Sequence, residues 1–439
     1  MASTRSSSRS RSKSRPKSTP KKSTPKKPPT EKKSPAKRGT TSKSKSKASP
    51  KTFESSSFVL DDATKGRLAL WKYHSGTYTP IDVQMNKFWE WSVTLLPIWL
   101  APNLVTALGS LIVISTTGLL AYYDPQFLGV APSWVIVVAA IGHFVYMTMD
   151  AIDGKQARRT GTSSPLGQLF DHGCDAFITN IVGVMCNCCL GYGSGPWSIG
   201  NVILNFNVFF LAQWEEYHTG TLNTNNGYFG LTEGQLAQIS TMLSCALNRT
   251  WWEFNVPVLN LEAKYVLLMP MAFVTFSLAL QSVHRVLFVI RQSKIPNNEK
   301  GEKEFNRFTA LLQLLPQYSM YFLGIWLTSS DYYQTHPLSL FMLWGTSCTF
   351  YTTLVIVAQM SKSPIDYFGP ATTITGPMFL AAAYLNRQYD FGTSGVTDFH
   401  VVVTWGIVLV GQYAYFVCGV CLDLSSHLGI KVFTIPAKK

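Results

Sequence analysis

The sequence predicts an all-α, polytopic integral membrane protein with about ten transmembrane helices and a disordered, basic N-terminal tail. Apolar stretches of about 20 residues, the length that a bilayer-spanning helix needs, recur through most of the 439-residue chain. Charged residues make up only 14% of the chain, against about 25% in typical soluble domains. The body of the chain therefore has too little charge to cover a water-facing surface.

The positive charge is concentrated at the N-terminus. The net charge is +14, yet residues 1–51 contain 18 Lys and Arg and a single acid, Glu31, and the other 388 residues carry 20 basic and 23 acidic side chains. A body without excess positive charge excludes a basic, nucleic-acid-binding globule. Residues 1–56 are rich in Ser, Lys, Arg and Pro with almost no apolar side chains, which predicts disorder. This tail either contacts nucleic acid or anionic lipid or is solvated without a specific partner, and both interpretations stay open.

The remainder of the chain divides into four predicted parts. Residues 57–101, with Trp and Phe beside a few charges, are expected to lie in the membrane interface. Residues 102–220 form a membrane core that contains a polar motif at 150–175, residues 221–430 supply the remaining helices, and residues 431–439 form a C-terminal tail. The ten spans are expected near 102–122, 132–150, 167–190, 198–218, 234–247, 264–290, 307–328, 338–360, 366–385 and 400–422.

Four carboxylates interrupt the apolar pattern at the end of one predicted span and the start of the next. Asp150 and Asp153 are three residues apart, and Asp171 and Asp175 are four apart, so each pair lies on one helix face. A short link predicts that the two helices are antiparallel and that the pairs face each other across their seam. Ionisable groups at membrane depth are costly and usually functional. An all-oxygen cluster favours one or two hard divalent cations such as Mg²⁺, Mn²⁺ or Ca²⁺.

Small and basic residues accompany the carboxylates. Gly154, Ala157, Gly167 and Gly173 let a helix or a ligand approach the backbone closely. Lys155, Arg158 and Arg159 add positive charge beside the predicted cation site. Carboxylates, a hard cation and Arg together suit a bound diphosphate and phosphoryl transfer. The alternative is a structural network in which the Asp residues pair with the three basic side chains, although four acids with interleaved small residues exceed what pairing requires.

The motif Asp150-x2-Asp153-Gly154-x2-Ala157-Arg158-x8-Gly167-x3-Asp171-x3-Asp175 resembles the full signature of the CDP-alcohol phosphatidyltransferases. The stretches DGKQARR at 153–159 and DHGCD at 171–175 resemble the eukaryotic cholinephosphotransferase and ethanolaminephosphotransferase branch. Three further segments also resemble that branch: APNLVT (101–106), Glu215-Glu216 and Thr232-Glu233-Gly234. The resemblance covers the chain from about Leu70 to its C-terminus and excludes the basic tail.

The resemblance implies a membrane enzyme that transfers phosphocholine or phosphoethanolamine from a CDP-alcohol to diacylglycerol and releases CMP. It implies that Asp150, Asp153, Asp171 and Asp175 bind Mg²⁺ or Mn²⁺. Asn103 and Arg158 would contact the CDP-alcohol, and Gly154, Ala157 and Gly167 would line its site. The expected location is the endoplasmic reticulum, with the Golgi or nuclear envelope as alternatives and the site facing the cytosol. A homodimer is a further expectation.

The resemblance also implies that His172 accepts the proton of the diacylglycerol hydroxyl. An imidazole titrates near neutral pH and is a suitable base, whereas a cation-bound carboxylate is weakened as one. Asp175 is the competing assignment as base, and an orienting role of His172 toward the neighbouring carboxylates is a third possibility. We expect His172 to be the base and Asp175 to be mainly a ligand.

Other functions also fit parts of the sequence. A CDP-diacylglycerol-dependent synthase, with inositol, serine or glycerol phosphate as acceptor, would use the same motif, but the extended DGKQARR and DHGCD stretches argue against it. A divalent-cation transporter would need a second acidic cluster in an inverted repeat, and the sequence contains no second copy. A nuclear-membrane tether that binds chromatin or RNA through its Arg-Ser head is compatible with catalysis.

Overall fold

The computed structural model describes residues 59–72, 76–289, 306–329, 331–365 and 398–435, and it confirms the all-α, polytopic fold class. A two-stranded ribbon, β1 (Asn255–Val256) and β2 (Leu261–Glu262), is the strand structure within these ranges. The basic tail and the predicted span at 366–385 lie outside the described residues. The helices are α1 (Asp62–Ala69), α2 (Pro80–Thr94), α3 (Pro102–Tyr123), α4 (Ser133–Thr160), α5 (Pro165–Leu190), α6 (Pro196–Thr219), α7 (Leu231–Leu247), α8 (Thr250–Glu253), α9 (Ala263–His284, continued by a π-helical turn at Arg285–Val289), α10 (Arg307–Leu312), α11 (Leu315–Leu327), α12 (Asp331–Thr335), α13 (Pro337–Ser361) and α14 (Asp398–Leu428).

Six helices in the described part of the chain are long and apolar enough to cross a membrane. They are α3, α4, α5, α9 with its π-helical turn, α13 and α14. The predicted spans at 198–218 and 234–247 form the helices α6 and α7, but α6 carries polar residues such as Gln213 and Glu215, and α7 has only 17 residues. They are therefore not among the six helices that are long and apolar enough to cross a membrane.

The single span predicted at 307–328 is wrong, because the structure divides it into α10 and α11. Pro316 lies in the first turn of α11. Proline has no backbone N–H to donate and is tolerated in a first turn rather than within a helix. A new helix therefore starts here, and its 13 residues are too few to cross a bilayer alone.

Two helices form the centre of the bundle. In the 18-residue apolar stretch of each helix, 72% of the residues of α5 and 83% of those of α13 are buried. The corresponding share is only 22% in α9 and in α14. The contact between α5 and α13 is close, because a Cβ added to Gly345 would lie 2.1 Å from Asn180 Oδ1. The helices α9 and α14 thus leave most of their apolar side chains outside the core of the described bundle, and α5 holds the motif in the interior.

The helix α3 brings the two halves of the motif together. It has extensive interfaces with both α4 and α5, whereas α4 and α5 share only a small direct interface. A Cβ added to Gly142 would lie 2.3 Å from Thr116 Oγ1, so glycine allows α4 to approach α3. The two halves of the motif therefore meet in a three-helix arrangement with α3, in which Asp150 of α4 still lies within reach of Asp171 and Asp175 of α5.

The two ends of the bundle differ in their connections. The end that holds the C-terminus of α4 also holds α1, α2 and the segments 220–230 and 361–365, and we call it the motif end. Arg67 Nε donates to the Ser361 carbonyl at 2.6 Å, and Gly76 N donates to Leu222 O at 2.9 Å, which joins these segments. The opposite end holds the segments 124–132, 191–195 and 248–262, where Gly193 N donates to Phe127 O at 2.8 Å.

Candidate active site

The four carboxylates of the motif converge between α3, α4 and α5. Ligand oxygens of Asp150, Asp153 and Asp171 lie within 4.8 Å of one another. Asp150 is also within hydrogen-bonding reach of both Asp171 and Asp175. The i, i+3 and i, i+4 spacing therefore brings the four side chains to one place, as expected, although their roles stay a prediction.

The cluster has the chemistry of a cation site. The Oδ1 atoms of Asp150 and Asp171 are buried and have no hydrogen-bond partner within the described part of the chain. Buried carboxylate oxygens without donors are costly, and a cation would satisfy them. Since all donors are carboxylate oxygens, the residues fit a hard divalent ion such as Mg²⁺ or Mn²⁺.

The basic residues of the motif do not neutralise the carboxylates by direct pairing. None of the ion pairs among the described residues includes Asp150, Asp153, Asp171 or Asp175. The alternative of a structural ion-pair network is therefore not what the described residues form.

Lys155, Gln156 and Arg159 instead hold the connection from α2 to α3. Lys155 Nζ donates to Asn86 Oδ1 at 2.5 Å. The two other side chains donate to four backbone carbonyls: Gln156 Nε2 to Pro97 (2.9 Å) and Leu100 (3.1 Å), and Arg159 Nη1 to Val93 (2.8 Å) and Leu96 (2.7 Å). Carbonyls at a helix C-terminus lack intrahelical donors, so the motif itself caps α2 and fixes the start of α3.

The residues predicted to bind the CDP-alcohol lie on α3, α4 and α5, the helices between which the carboxylates converge. Arg158 is exposed, and a Cβ added to Gly154 would lie 3.6 Å from its Nη1. A Cβ at Gly167 would lie 3.4 Å from Asn103 Oδ1, which places α3 and α5 side by side there, while Ala157 is half-buried on α4. These separations would accommodate an alanine methyl group, so packing within the protein does not by itself require glycine at 154 or 167.

The C-terminal segment contacts the same region. Asn103 Nδ2 donates to the carbonyl of Val432 at 2.9 Å. The rings of Phe170 and Phe433 pack edge to face with centroids 5.5 Å apart. Residues 430–435 therefore cover the face of α3 and α5 on which Asn103 lies, a contact that the sequence did not indicate.

His172 lies on a different face of α5 from its two neighbouring carboxylates. It is 5% exposed, its Nε2 lies 2.6 Å from Gln168 Nε2, and Gln213 of α6 is also within its reach. The carboxylates face α3 and α4, whereas His172 faces α6. Its imidazole is thus held by amide side chains and is not one of the clustered oxygen donors.

The polar residues near the end of α6 are buried inside the bundle. Glu215 is fully buried and accepts two hydrogen bonds from Arg285 of the π-helical turn, at 2.5 and 2.7 Å. His218 Nε2 lies 2.7 Å from Gln313 Oε1. Glu216 is 1% exposed, and neither of its oxygens has a hydrogen-bond partner among the described residues. Burial excludes a position at the water-exposed membrane boundary for these three side chains.

An apolar cavity of about 210 Å³ lies beside the carboxylate cluster. Gly173 and Cys174, between Asp171 and Asp175 in the chain, form part of its wall. The rest of the wall comes from other residues of α5 and from α3, α13 and α14, with Ser110, Thr353 and Tyr413 as the main polar contributions. A mostly apolar chamber thus adjoins a strongly polar cluster.

Two hydroxyl groups contact the carboxylates, and the motif did not predict either. Tyr146 donates to Asp175 Oδ1 at 2.5 Å, and Thr106 donates to Asp153 Oδ2. Tyr146 precedes Asp150 by four residues, so helical periodicity was a signal that could have found it. Thr106 is 47 residues before Asp153, and no local pattern links the two.

Comparisons with known proteins agree with this site. The profile of the CDP-alcohol phosphatidyltransferase family matches residues 99–276, a range that includes the whole cluster. Cholinephosphotransferase 1 of Danio rerio is 33% identical over 374 residues, which cover 84% of this chain and 94% of the relative. Cholinephosphotransferase 1 of Homo sapiens is 27% identical over 392 residues, covering 88% and 92%. An uncharacterized CDP-alcohol phosphatidyltransferase class-I family protein of Dictyostelium discoideum is 31% identical over 388 residues, covering 87% and 97%.

The helical membrane fold and the buried carboxylate cluster define a membrane-embedded transferase of phospholipid biosynthesis. The chain belongs to the CDP-alcohol phosphatidyltransferase family, and the extended identity with cholinephosphotransferases confirms the resemblance derived from the motif.

Proposed function

We propose that the protein transfers phosphocholine, phosphoethanolamine or both from the CDP-alcohol to diacylglycerol and yields phosphatidylcholine or phosphatidylethanolamine and CMP. The observation that carries this proposal is the apolar cavity beside the carboxylate cluster. A lipid acceptor needs an apolar chamber for its chains, and its hydroxyl must reach the phosphate. The relatives named cholinephosphotransferase support the donor class.

In the proposed reaction the acceptor hydroxyl oxygen forms a bond to the β-phosphorus of the CDP-alcohol. The bond from that phosphorus to the bridging oxygen breaks, and CMP leaves with the electron pair. His172 takes the hydroxyl proton, Asn103 and Arg158 orient the nucleotide, and Gly154 and Gly167 leave space for it. Asp150, Asp153, Asp171 and Asp175 would hold Mg²⁺ or Mn²⁺, which neutralises charge on the diphosphate.

The distribution of basic residues supports a cytosol-facing site. Among the described residues, eleven Lys and Arg lie at the motif end, while Arg249 and Lys264 lie at the opposite end. Basic residues flanking membrane helices are enriched on the cytoplasmic side. The proposed orientation therefore places the motif end in the cytosol, and the endoplasmic reticulum is the proposed membrane, with the Golgi or nuclear envelope as alternatives.

The other functions have less support. The described ranges contain one group of three or more metal-ligating side chains, whereas a cation transporter built on inverted repeats would have a matching second site. A CDP-diacylglycerol-dependent synthase would use the same cluster, but the relatives of Danio rerio and Homo sapiens that match 84% and 88% of the chain are named cholinephosphotransferases.

A radiolabel assay tests the proposal. Membranes with the expressed protein receive labelled CDP-choline or CDP-ethanolamine, diacylglycerol and Mg²⁺ or Mn²⁺, and we expect cation-dependent labelled phospholipid. Asp150→Asn should reduce the rate by roughly 10²- to 10³-fold, as loss of a charge-stabilising group does. Asp62→Asn, which changes an exposed acid of α1, is the matched control and should leave the rate unchanged. If folded protein gives no labelled product with either donor, the proposal is refuted. The ratio of phosphatidylcholine to phosphatidylethanolamine measures the head-group preference.

A further inference from the structure

The carboxylate cluster contains two chemically different kinds of Asp. Asp153 and Asp175 each accept a hydrogen bond from a side-chain hydroxyl, of Thr106 and Tyr146 respectively. Asp150 and Asp171 each retain an Oδ1 without a hydrogen-bond partner among the described residues. Both hydroxyl donors are buried, at 2% and 3% exposure, so water does not compete for them.

A hydroxyl donor restricts what a carboxylate can do. It fixes the rotation of the group, satisfies one oxygen and leaves the second for another partner. It also stabilises the ionised form, since hydrogen bonds to a charged acceptor are stronger than those to a neutral one. A carboxylate held in this way is preorganised to bind a cation through its second oxygen.

The two donors come from the helices that surround α5. Tyr146 lies one turn before Asp150 on α4, and its hydroxyl crosses to α5 to reach Asp175. Thr106 lies in the first turns of α3 and reaches Asp153 of α4. The donors thus connect α3 to α4 and α4 to α5, so the separation of the carboxylates depends on them.

We propose that Tyr146 and Thr106 are positioning residues that hold Asp175 and Asp153, respectively, in the orientation in which they bind the cation. This inference rests on the proposed function, because it assigns roles within the same site. Partners that orient the ligands of a metal commonly change its affinity by 10- to 100-fold when they are lost.

Binding of Mn²⁺ alone to purified full-length protein, measured by electron paramagnetic resonance without substrates, tests the inference. Tyr146→Phe should weaken Mn²⁺ binding by about 10- to 100-fold with unchanged stoichiometry. The matched control is Tyr192→Phe. Tyr192 is also 3% exposed, but its hydroxyl donates to the Lys264 carbonyl at 3.0 Å at the opposite end, so its loss should leave Mn²⁺ affinity unchanged.

A second series keeps the test decisive if Tyr146→Phe does not fold. Thr106→Val should weaken Mn²⁺ binding, and Thr106→Ser, which keeps the hydroxyl, should restore it. Thr117→Val is the control on the same helix, because Thr117 is 4% exposed and donates to the Val113 carbonyl at 2.7 Å.

The outcomes separate this inference from the proposed function. Wild-type affinity in both Tyr146→Phe and Thr106→Val, with lipid product from the wild type, overturns the inference and leaves the function standing. Weakened Mn²⁺ binding in the variants, without lipid product from the wild type, supports the inference and refutes the function. A wild-type protein that binds no Mn²⁺ overturns the inference directly.

Discussion

At the residue scale, His172 and Asp175 lie three positions apart on α5 but have different surroundings. Asp175 accepts a hydrogen bond from Tyr146 and is within reach of Asp150. His172 contacts the amides of Gln168 and Gln213. The first environment suits a ligand and the second suits a neutral imidazole that takes and returns a proton.

The variant His172→Ala should lose turnover by roughly 10²- to 10⁴-fold, the usual contribution of a general base. Labelled CDP-choline should still bind to the purified variant, because the clustered carboxylates and Arg158 are unchanged. Turnover and nucleotide binding are measured on the same preparation. His143→Ala is the control, since His143 is also fully buried, on α4, and should retain most of its turnover. Loss of CDP-choline binding in His172→Ala would show instead that the imidazole holds the site together.

The side chains of the site differ in how far the sequence could predict them. The convergence of the four Asp residues follows from helical spacing, which is a local property. The hydrogen-bond partners of Lys155 and Arg159 do not follow from local spacing. Their acceptors, on α2 and the turn after it, lie some 60 residues earlier in the chain. Both were expected to add charge beside the cation site; in the structure Lys155 contacts Asn86 of α2, and Arg159 contacts the end of α2 and the turn that follows it. Among the three basic residues of the motif, Arg158 is the one whose guanidinium lies near Gly154.

At the element scale, an ion pair links α6 to the π-helical turn that ends α9. Glu215 is fully buried and accepts from Arg285 and from Asn223, the latter at 2.7 Å. Since α6 also carries Gln213 beside His172, this pair fixes the helix that supports the proposed base. The spans predicted within the described residues form helices, except that the one at 307–328 is divided into α10 and α11 near Pro316.

Replacing Arg285 with Met should destabilise the protein by about 3 kcal/mol, because the charge of Glu215 would remain buried without its partner. Thermal unfolding of the purified variant in detergent measures the effect. The double variant Glu215→Gln with Arg285→Met should recover part of the loss, since no uncompensated charge remains. Lys264→Met is the matched control, because the acid of its pair, Glu262, is 40% exposed and keeps its hydration. Equal destabilisation by Arg285→Met and Lys264→Met would contradict the argument.

At the scale of the whole molecule, the net charge of +14 hides two separate asymmetries. One separates the basic tail from a nearly neutral body. The other separates the two ends of the body, since eleven of the thirteen described Lys and Arg lie at the motif end. The sequence showed the first asymmetry directly. The second required the structure, because it depends on which end of the bundle each loop reaches.

The second asymmetry predicts the orientation of the protein in its membrane. Tyr228 in the segment 220–230 is 86% exposed at the motif end, and Val258 in the β1–β2 turn is 92% exposed at the opposite end. In sealed microsomes with their cytosolic face outward, a membrane-impermeant maleimide should label Tyr228→Cys at once. It should label Val258→Cys only after detergent permeabilises the vesicles. Wild-type protein is the control for native cysteines, five of which are buried. The reverse pattern would place the carboxylate cluster on the lumenal side and contradict the orientation that the basic residues predict.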